Sequence, residues 1–130
     1  AQIRQAPRVY VVGNGGSYAN AQHVVNDLIS AGVKAFTIDP ATLSCIANDF
    51  GWALALSRWV QTVGAPGDLL MAFSGSGKSA NVLNAVETAR QRGMQVWREY
   101  GAARGLTMEA AEERQVWLGH EVKRRLRAAR

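Results

Sequence analysis

Cysteine is almost absent. Cys45 stands alone, and a single thiol excludes both a disulfide framework and a zinc site built from clustered cysteines; the expectation for it is a small buried hydrophobe. Histidine is equally scarce, with only His23 and His120. No apolar run approaches the roughly 18 residues of a membrane span, and the opening residues 1–5 lack the apolar stretch of a signal peptide. A soluble, cytoplasmic protein with no membrane partner is the expectation. Charge imbalance is confined to one place: Lys123, Arg124, Arg125, Arg127 and Arg130 account for the whole formal excess of +5, and the chain before them is balanced. Such a patch can attract nucleic acid, but cations also suit the C-terminal end of a helix, where the macrodipole is negative. The helix end is the favoured reading, and nucleic acid is not the expected partner.

What is present suffices for one domain: 130 residues, 48% of them apolar, can bury a single core. Arg8-Val9-Tyr10-Val11-Val12 is a short apolar run that stops at a glycine cluster. Val24, Val25, Leu28 and Ile29 then recur at helical spacing, so the order is strand, tight loop, helix. Gly32 closes that helix, and residues 34–38 read as a second strand. A helix over residues 52–63, a strand over 68–73, a helix over 80–92 and a strand starting at Gln95 follow. Residues 98–105 do not continue the strand pattern. From Thr107, an N-cap, a long helix runs to about Arg127, with Glu109, Glu112 and Glu113 near its positive end. Strands alternating with helices over short loops indicate an α/β fold, a parallel sheet covered by helices on both faces. In such sheets ligands sit beyond the carboxyl ends of the strands.

Two Gly/Ser loops fall at those ends. Ser74-Gly75-Ser76-Gly77-Lys78-Ser79 combines backbone N–H groups freed by glycine with the hydroxyls of Ser74, Ser76 and Ser79, an arrangement that binds oxyanions. It nearly matches a nucleotide-binding loop through Gly77-Lys78-Ser79, but Ala72 occupies the place of that motif's first glycine. Gly13-Asn14-Gly15-Gly16-Ser17 has the wrong glycine spacing for a dinucleotide fingerprint; Asn14 and Ser17 supply polar side chains instead. His23 and Asp27, four residues apart, share one helical face, a pairing that serves equally as a structural ion pair, a metal site or a proton relay. Glu112 and His120 lie about 12 Å apart along one helix, and their spacing alone does not define a metal site.

The motifs Val12-Gly13-Asn14-Gly15-Gly16-Ser17, Ala21-Gln22-His23, Ile46-Ala47-Asn48-Asp49-Phe50-Gly51, Pro66-Gly67-Asp68-Leu69-Leu70 and Ser74-Gly75-Ser76-Gly77-Lys78-Ser79-Ala80-Asn81-Val82, in that order over residues 9–96, resemble the sugar isomerase (SIS) domain family, and within it the sedoheptulose 7-phosphate isomerases. The resemblance implies a flavodoxin-like three-layer α/β/α sandwich, a homotetramer, and aldose–ketose isomerisation of a phosphorylated seven-carbon sugar. It implies phosphate binding by Ser17, Ser74, Ser76 and Ser79, with Gly15 and Gly75 in the same loops, and a zinc site made of His23, Asp27, Glu112 and His120. Asp27 and His120 would be the catalytic pair, while Asn14, Asp49, Glu109 and Glu112 would contact the sugar. Asp27 stands where the family has glutamate, Glu112 where it has glutamine, Gly75 where it has threonine and Lys78 where it has asparagine. The resemblance also implies a helical segment before the first strand and a fifth strand before the last helix. Neither is visible, and the expectation is that residues are missing before Ala1 and near Trp97. A non-catalytic regulator that binds a sugar phosphate or a protein partner is the alternative, since SIS domains occur in both roles.

Overall fold

The structure is a computed structural model that describes residues 2–128. Its order is α1 (Gln2–Gln5), β1 (Val9–Val12), α2 (Gly16–Ser30), β2 (Ala35–Phe36), α3 (Pro40–Phe50), α4 (Trp52–Val63), β3 (Leu69–Ser74), α5 (Ala80–Gln91), β4 (Gln95–Tyr100), a 3-10 turn (Gly101–Arg104) and α6 (Met108–Ala128). The four strands pair in parallel in the order β2-β1-β3-β4. Central strand β3 is buried along its whole length, as a strand covered on both faces must be. Alternation along β1 and β3 divides the core. Val9, Val11, Leu69, Met71 and Phe73 pack with Val24, Leu28 and Leu118 of α2 and α6. Tyr10, Val12, Leu70 and Ala72 pack with Leu56, Val60, Val82 and Val86 of α4 and α5. The result is the expected three-layer sandwich.

Three elements differ from the sequence reading. Helix α3 was not foreseen, although its start is well marked: the Asp39 carboxylate accepts from the N–H groups of Ala41 and Thr42, and Pro40 occupies the first turn. None of its residues is fully buried; its apolar stripe is short, with Leu43 and Ile46 partly buried against the core and Phe50 exposed. The same outlying position overturns the expectation for Cys45, which is exposed. Strand β2 is shorter than residues 34–38 suggest. Strand β4 continues past Trp97, through the charged pair Arg98-Glu99 to Tyr100, and the 3-10 turn then leads directly toward α6. Thr107 caps that helix as expected, its Oγ1 accepting from the N–H of Ala110.

The basic tail lies in α6, except for Arg130, which falls outside the described residues. Two of its cations are internally matched: Arg124 and Arg125 bond Glu121 at 2.6 and 2.9 Å. The hydrogen bonds from Arg124 and then Arg125 hold the Glu121 carboxyl down at about 2. With Arg127 these arginines lie in the last turns of α6, where the helix dipole is negative.

Glu99 explains why a charged segment can remain a strand. Its carboxylate is buried but accepts from Trp97 Nε1 at 3.0 Å, Arg104 Nη2 at 3.4 Å and Arg114 Nε at 3.1 Å. It therefore joins β4 to the 3-10 turn and α6. Glu99→Ala removes the acceptor for all three donors and is expected to lower unfolding free energy by about 2 kcal/mol. Arg104→Ala, which deletes a half-exposed guanidinium, should cost less than about 1 kcal/mol. Urea denaturation measures both, and equal losses would show that burial of the carboxylate is not what matters.

Candidate functional site

Helices α2 and α5 begin at the carboxyl ends of the central strands β1 and β3, and neither has a side-chain cap. Their free N–H groups and positive dipole ends therefore face the same edge of the sheet. The first loop is held in place from both sides. A Cβ on Gly13 would fall 2.8 Å from the Ser17 backbone, so the turn can fold onto the helix only with glycine there. Asn14 and Asn81 exchange two amide hydrogen bonds, each 2.8 Å, which lock this loop to the start of α5. In the second loop, Ser74 Oγ accepts from the Gly77 N–H at 2.9 Å and lies 3.3 Å from Ser79 Oγ. Ser76 Oγ accepts from the Lys78 N–H at 3.0 Å. The hydroxyls and the turn form one preorganised cradle.

The N-terminal half of α6 lies across both loops. Buried Gln115 donates to Ser17 Oγ at 3.0 Å and accepts from Asn20 at 2.9 Å. The Ala102 N–H donates to the Gly75 carbonyl at 2.8 Å. Met108 occupies the space a side chain at Gly75 would need, and the Glu112 carboxylate does the same at Gly16, where a Cβ would fall 1.7 Å from Oε2. Glu112 thus stands at the positive end of α2, a favourable position for an anion.

About two turns further along α2, a second polar cluster joins α2 to α6. His23 Nε2 and His120 Nε2 are 2.9 Å apart, with one ring donating and the other accepting. Each nitrogen is 3.8 Å from Asp27 Oδ2, and Lys123 Nζ is 3.7 Å from Asp27 Oδ1. The histidines are open to solvent, whereas the Asp27 side chain is only 7% exposed. Its Oδ2 is buried without a hydrogen-bond partner. Such an atom carries a large desolvation cost, and its place in the last turn of α2, at the negative end of the dipole, adds to it. The geometry fits a cation. Ligands at about 2.0–2.1 Å from a tetrahedral zinc ion are roughly 3.3 Å from one another, and these three atoms lie within 4.8 Å of one another.

The structure thus gathers Asn14, Gly15, Ser17, Ser74, Gly75, Ser76 and Ser79 at the loop end, and His23, Asp27 and His120 at the other. Among the described residues Glu112 does not belong to the second group. It covers Gly16 instead, because eight residues of helix separate it from His120. Asp49 is exposed near the end of α3 and accepts a long 3.9 Å bond from the Cys45 thiol; Glu109 is exposed in the first turn of α6. Neither carboxylate joins the hydrogen bonds of the loops. Gln115 and Asn81 were not singled out from sequence, and Lys123 stood out only as part of the basic tail. Asn81 lay in a quoted motif, but the partners of all three are distant in the chain, and no local pattern marks them.

Comparison with known proteins gives a consistent result. The SIS domain family matches residues 1–97. Over 120 residues the chain is 40% identical to the phosphoheptose isomerase of Rhodospirillum rubrum, covering 86% of this chain and 64% of that protein. It is 41% identical to the phosphoheptose isomerase of Edwardsiella ictaluri over 103 residues, 74% of this chain and 53% of the relative. The chain therefore spans less than two thirds of the length of these relatives. The structure of phosphoheptose isomerase GmhA from Neisseria gonorrhoeae superposes with a TM-score of 0.86 at 28% identity, over 98% of this chain and 79% of that one. With the strand order, the two Gly/Ser loops and the family match in agreement, the chain belongs to the SIS domain family.

Proposed function

We propose that this chain forms the core of an aldose–ketose isomerase that converts sedoheptulose 7-phosphate to a D-glycero-heptose 7-phosphate. One observation carries the reading: an anion cradle and a cluster of basic atoms stand on the same helix at a separation suited to that substrate. Ser17 and His23 are six residues apart, about 9 Å along α2. Six carbon–carbon bonds of about 1.5 Å, each advancing about 1.3 Å in a zigzag, span roughly 8 Å. An open-chain heptose phosphate reaches from the cradle to His23, beside which Asp27 Oδ2 and His120 Nε2 lie 3.8 and 2.9 Å from His23 Nε2, and a three-carbon sugar phosphate does not. The names of the relatives support the same substrate class.

In this reading the hydroxyls of Ser17, Ser74, Ser76 and Ser79 and the loop N–H groups hold the phosphate, with Gly15 and Gly75 allowing close backbone approach. Asn14, beside both loops, orients the sugar hydroxyls, the exposed carboxylates of Asp49 and Glu109 reach the sugar from outside the loop network, and Glu112 stands over Gly16 at the phosphate end. Asp27 takes the proton from the carbon beside the carbonyl and returns it to the neighbouring carbon, while His120 moves the proton between the two oxygens. A divalent cation such as zinc, held by His23, Asp27 and His120, supplies positive charge that polarises the sugar oxygens. Exposed Phe50, Trp52 and Leu54 support burial against further copies in a homotetramer. Among the described residues no helix is long and apolar enough to cross a membrane, and a cytoplasmic setting suits a phosphorylated substrate that does not cross bilayers.

His120→Ala is expected to lower turnover of sedoheptulose 7-phosphate at least about a hundredfold while leaving inorganic phosphate binding within about twofold. Unchanged turnover would remove His120 from the chemistry. If the zinc-supplied wild-type chain binds the sugar phosphate but never interconverts it, the family's non-catalytic regulatory role is the better description. Ser74→Ala deletes an acceptor for the Gly77 N–H as well as a phosphate ligand, and should raise KM about tenfold with a smaller change in kcat. Steady-state kinetics separates the two parameters, and an unaltered KM would remove Ser74 from the phosphate site.

A further inference from the structure

Gly119 lies in the middle of α6, where glycine is the poorest helix former other than proline. It is buried, and its helical neighbours require no unusual backbone conformation, since its φ is not among the positive values. The reason for glycine lies across the seam. A Cβ at this position would fall 2.8 Å from Asp27 Oδ2, 2.8 Å from Val24 Cγ2 and 3.4 Å from Val24 Cα. The first two separations are well inside van der Waals contact. Val24 is buried and β-branched, with its χ1 largely fixed in a helix, so it cannot swing aside. An added methyl group must displace the Asp27 carboxylate, or else lift α6 away from α2.

We infer that Gly119 is a positioning residue for the cluster of His23, Asp27 and His120. The absent side chain lets α6 lie close enough to α2 for the short Asp27 side chain to reach the residues that flank Gly119. His120 follows it directly in sequence and Lys123 lies one turn later, and these two contact the two Asp27 oxygens at 3.8 and 3.7 Å. Either response to a methyl group breaks this arrangement. Moving the carboxylate shifts Oδ2 away from both imidazoles, and lifting α6 takes His120 and Lys123 with it. Aspartate at position 27 and glycine at position 119 therefore act as a matched pair: a short acid needs a close helix. The inference rests on the reading of this cluster as a metal centre and adds a residue that touches neither metal nor substrate.

The test measures metal uptake by the full chain. Wild-type and Gly119→Ala proteins are dialysed against zinc at a series of free concentrations, and cobalt(II) is used in parallel because its visible absorption reports coordination. Gly119→Ala is expected to weaken zinc about 10- to 100-fold, the range typical for loss of an interaction that orients a ligand, and to alter the cobalt spectrum. In the presence of chelator the overlap with Val24 is expected to lower its melting temperature, and Val24→Ala/Gly119→Ala is expected to regain part of that stability without regaining zinc affinity, whereas relief of a general packing defect would restore both together. Val24→Ala/Gly119→Ala removes the Val24 part of the overlap while keeping the Asp27 part. If Gly119→Ala alone does not fold, the double variant should still fold and bind zinc weakly. Wild-type uptake with equal affinity in the variants overturns the role of Gly119 alone. No uptake by wild type overturns the metal reading and this inference together.

Discussion

The seam between α2 and α6 is the constraint on which the candidate site depends. Ser17, His23, Asp27, Glu112 and His120 all lie on one or other of these helices. At the loop end, Gln115 fixes Ser17 and Asn20; at the far end, His120 and Lys123 meet His23 and Asp27. Small residues let the elements come this close. Gly16 leaves room for Glu112, Gly75 for Met108, Gly101 for Ala111 and Gly119 for Asp27. Close packing of this kind leaves little slack, so a change at one end of α6 is felt at the other. The apolar anchors Leu118 and Leu126 hold α6 on the sheet and thereby set the depth at which all of these side chains meet.

The same geometry divides the site by charge. The N-terminal end of α2 is positive and offers free N–H groups, so an anion is stabilised there, whether it is the Glu112 carboxylate or a phosphate. The C-terminal end is negative, and there the protein buries Asp27, a second anion in an unfavourable place. Lys123 near Oδ1 offsets part of the cost, and a metal cation held between Oδ2 and the two imidazoles would offset the rest. One helix thus presents an anion-accepting end and a cation-demanding end about 9 Å or more apart. That polarity suits the proposed substrate, with a phosphate at one terminus and a reacting carbonyl at the other.

Much of this could be read from the chain before any coordinates. The apolar run to Val12, the segment Leu69-Leu70-Met71-Ala72-Phe73 and the glycine and serine clusters after them are local patterns, and local patterns fixed the sheet, the loops and the four serines. The pairing of His23 with Asp27 was visible as a spacing, though not its meaning. The misses share a cause. Helix α3 carries only a short stripe of Leu43, Ile46 and Phe50, and Cys45, between them in sequence, faces solvent. Strand β4 tolerates Arg98 and Glu99 only because Arg104 and Arg114 reach Glu99 from outside the strand. Gln115, Asn81 and Lys123 matter through partners 98, 67 and 96 positions away, and no window along the sequence contains both halves of those pairs.

Glu112 shows how tertiary placement changes the meaning of a residue. By family position it would be a metal ligand, and its negative charge in place of a neutral amide would strengthen the hold on a cation. Located over Gly16, it instead faces the end of α2 that an incoming phosphate must approach. A carboxylate near that approach repels a phosphate by Coulomb interaction, which is weak when both are solvated and grows as the site excludes water. Lys78, on the second loop, carries the opposite sign. The two side chains lie at the same end of the molecule and act in opposite directions. Their opposite charges cancel in the formal charge of this end, so the attraction left for an anion comes from the loop N–H groups and the dipoles of α2 and α5.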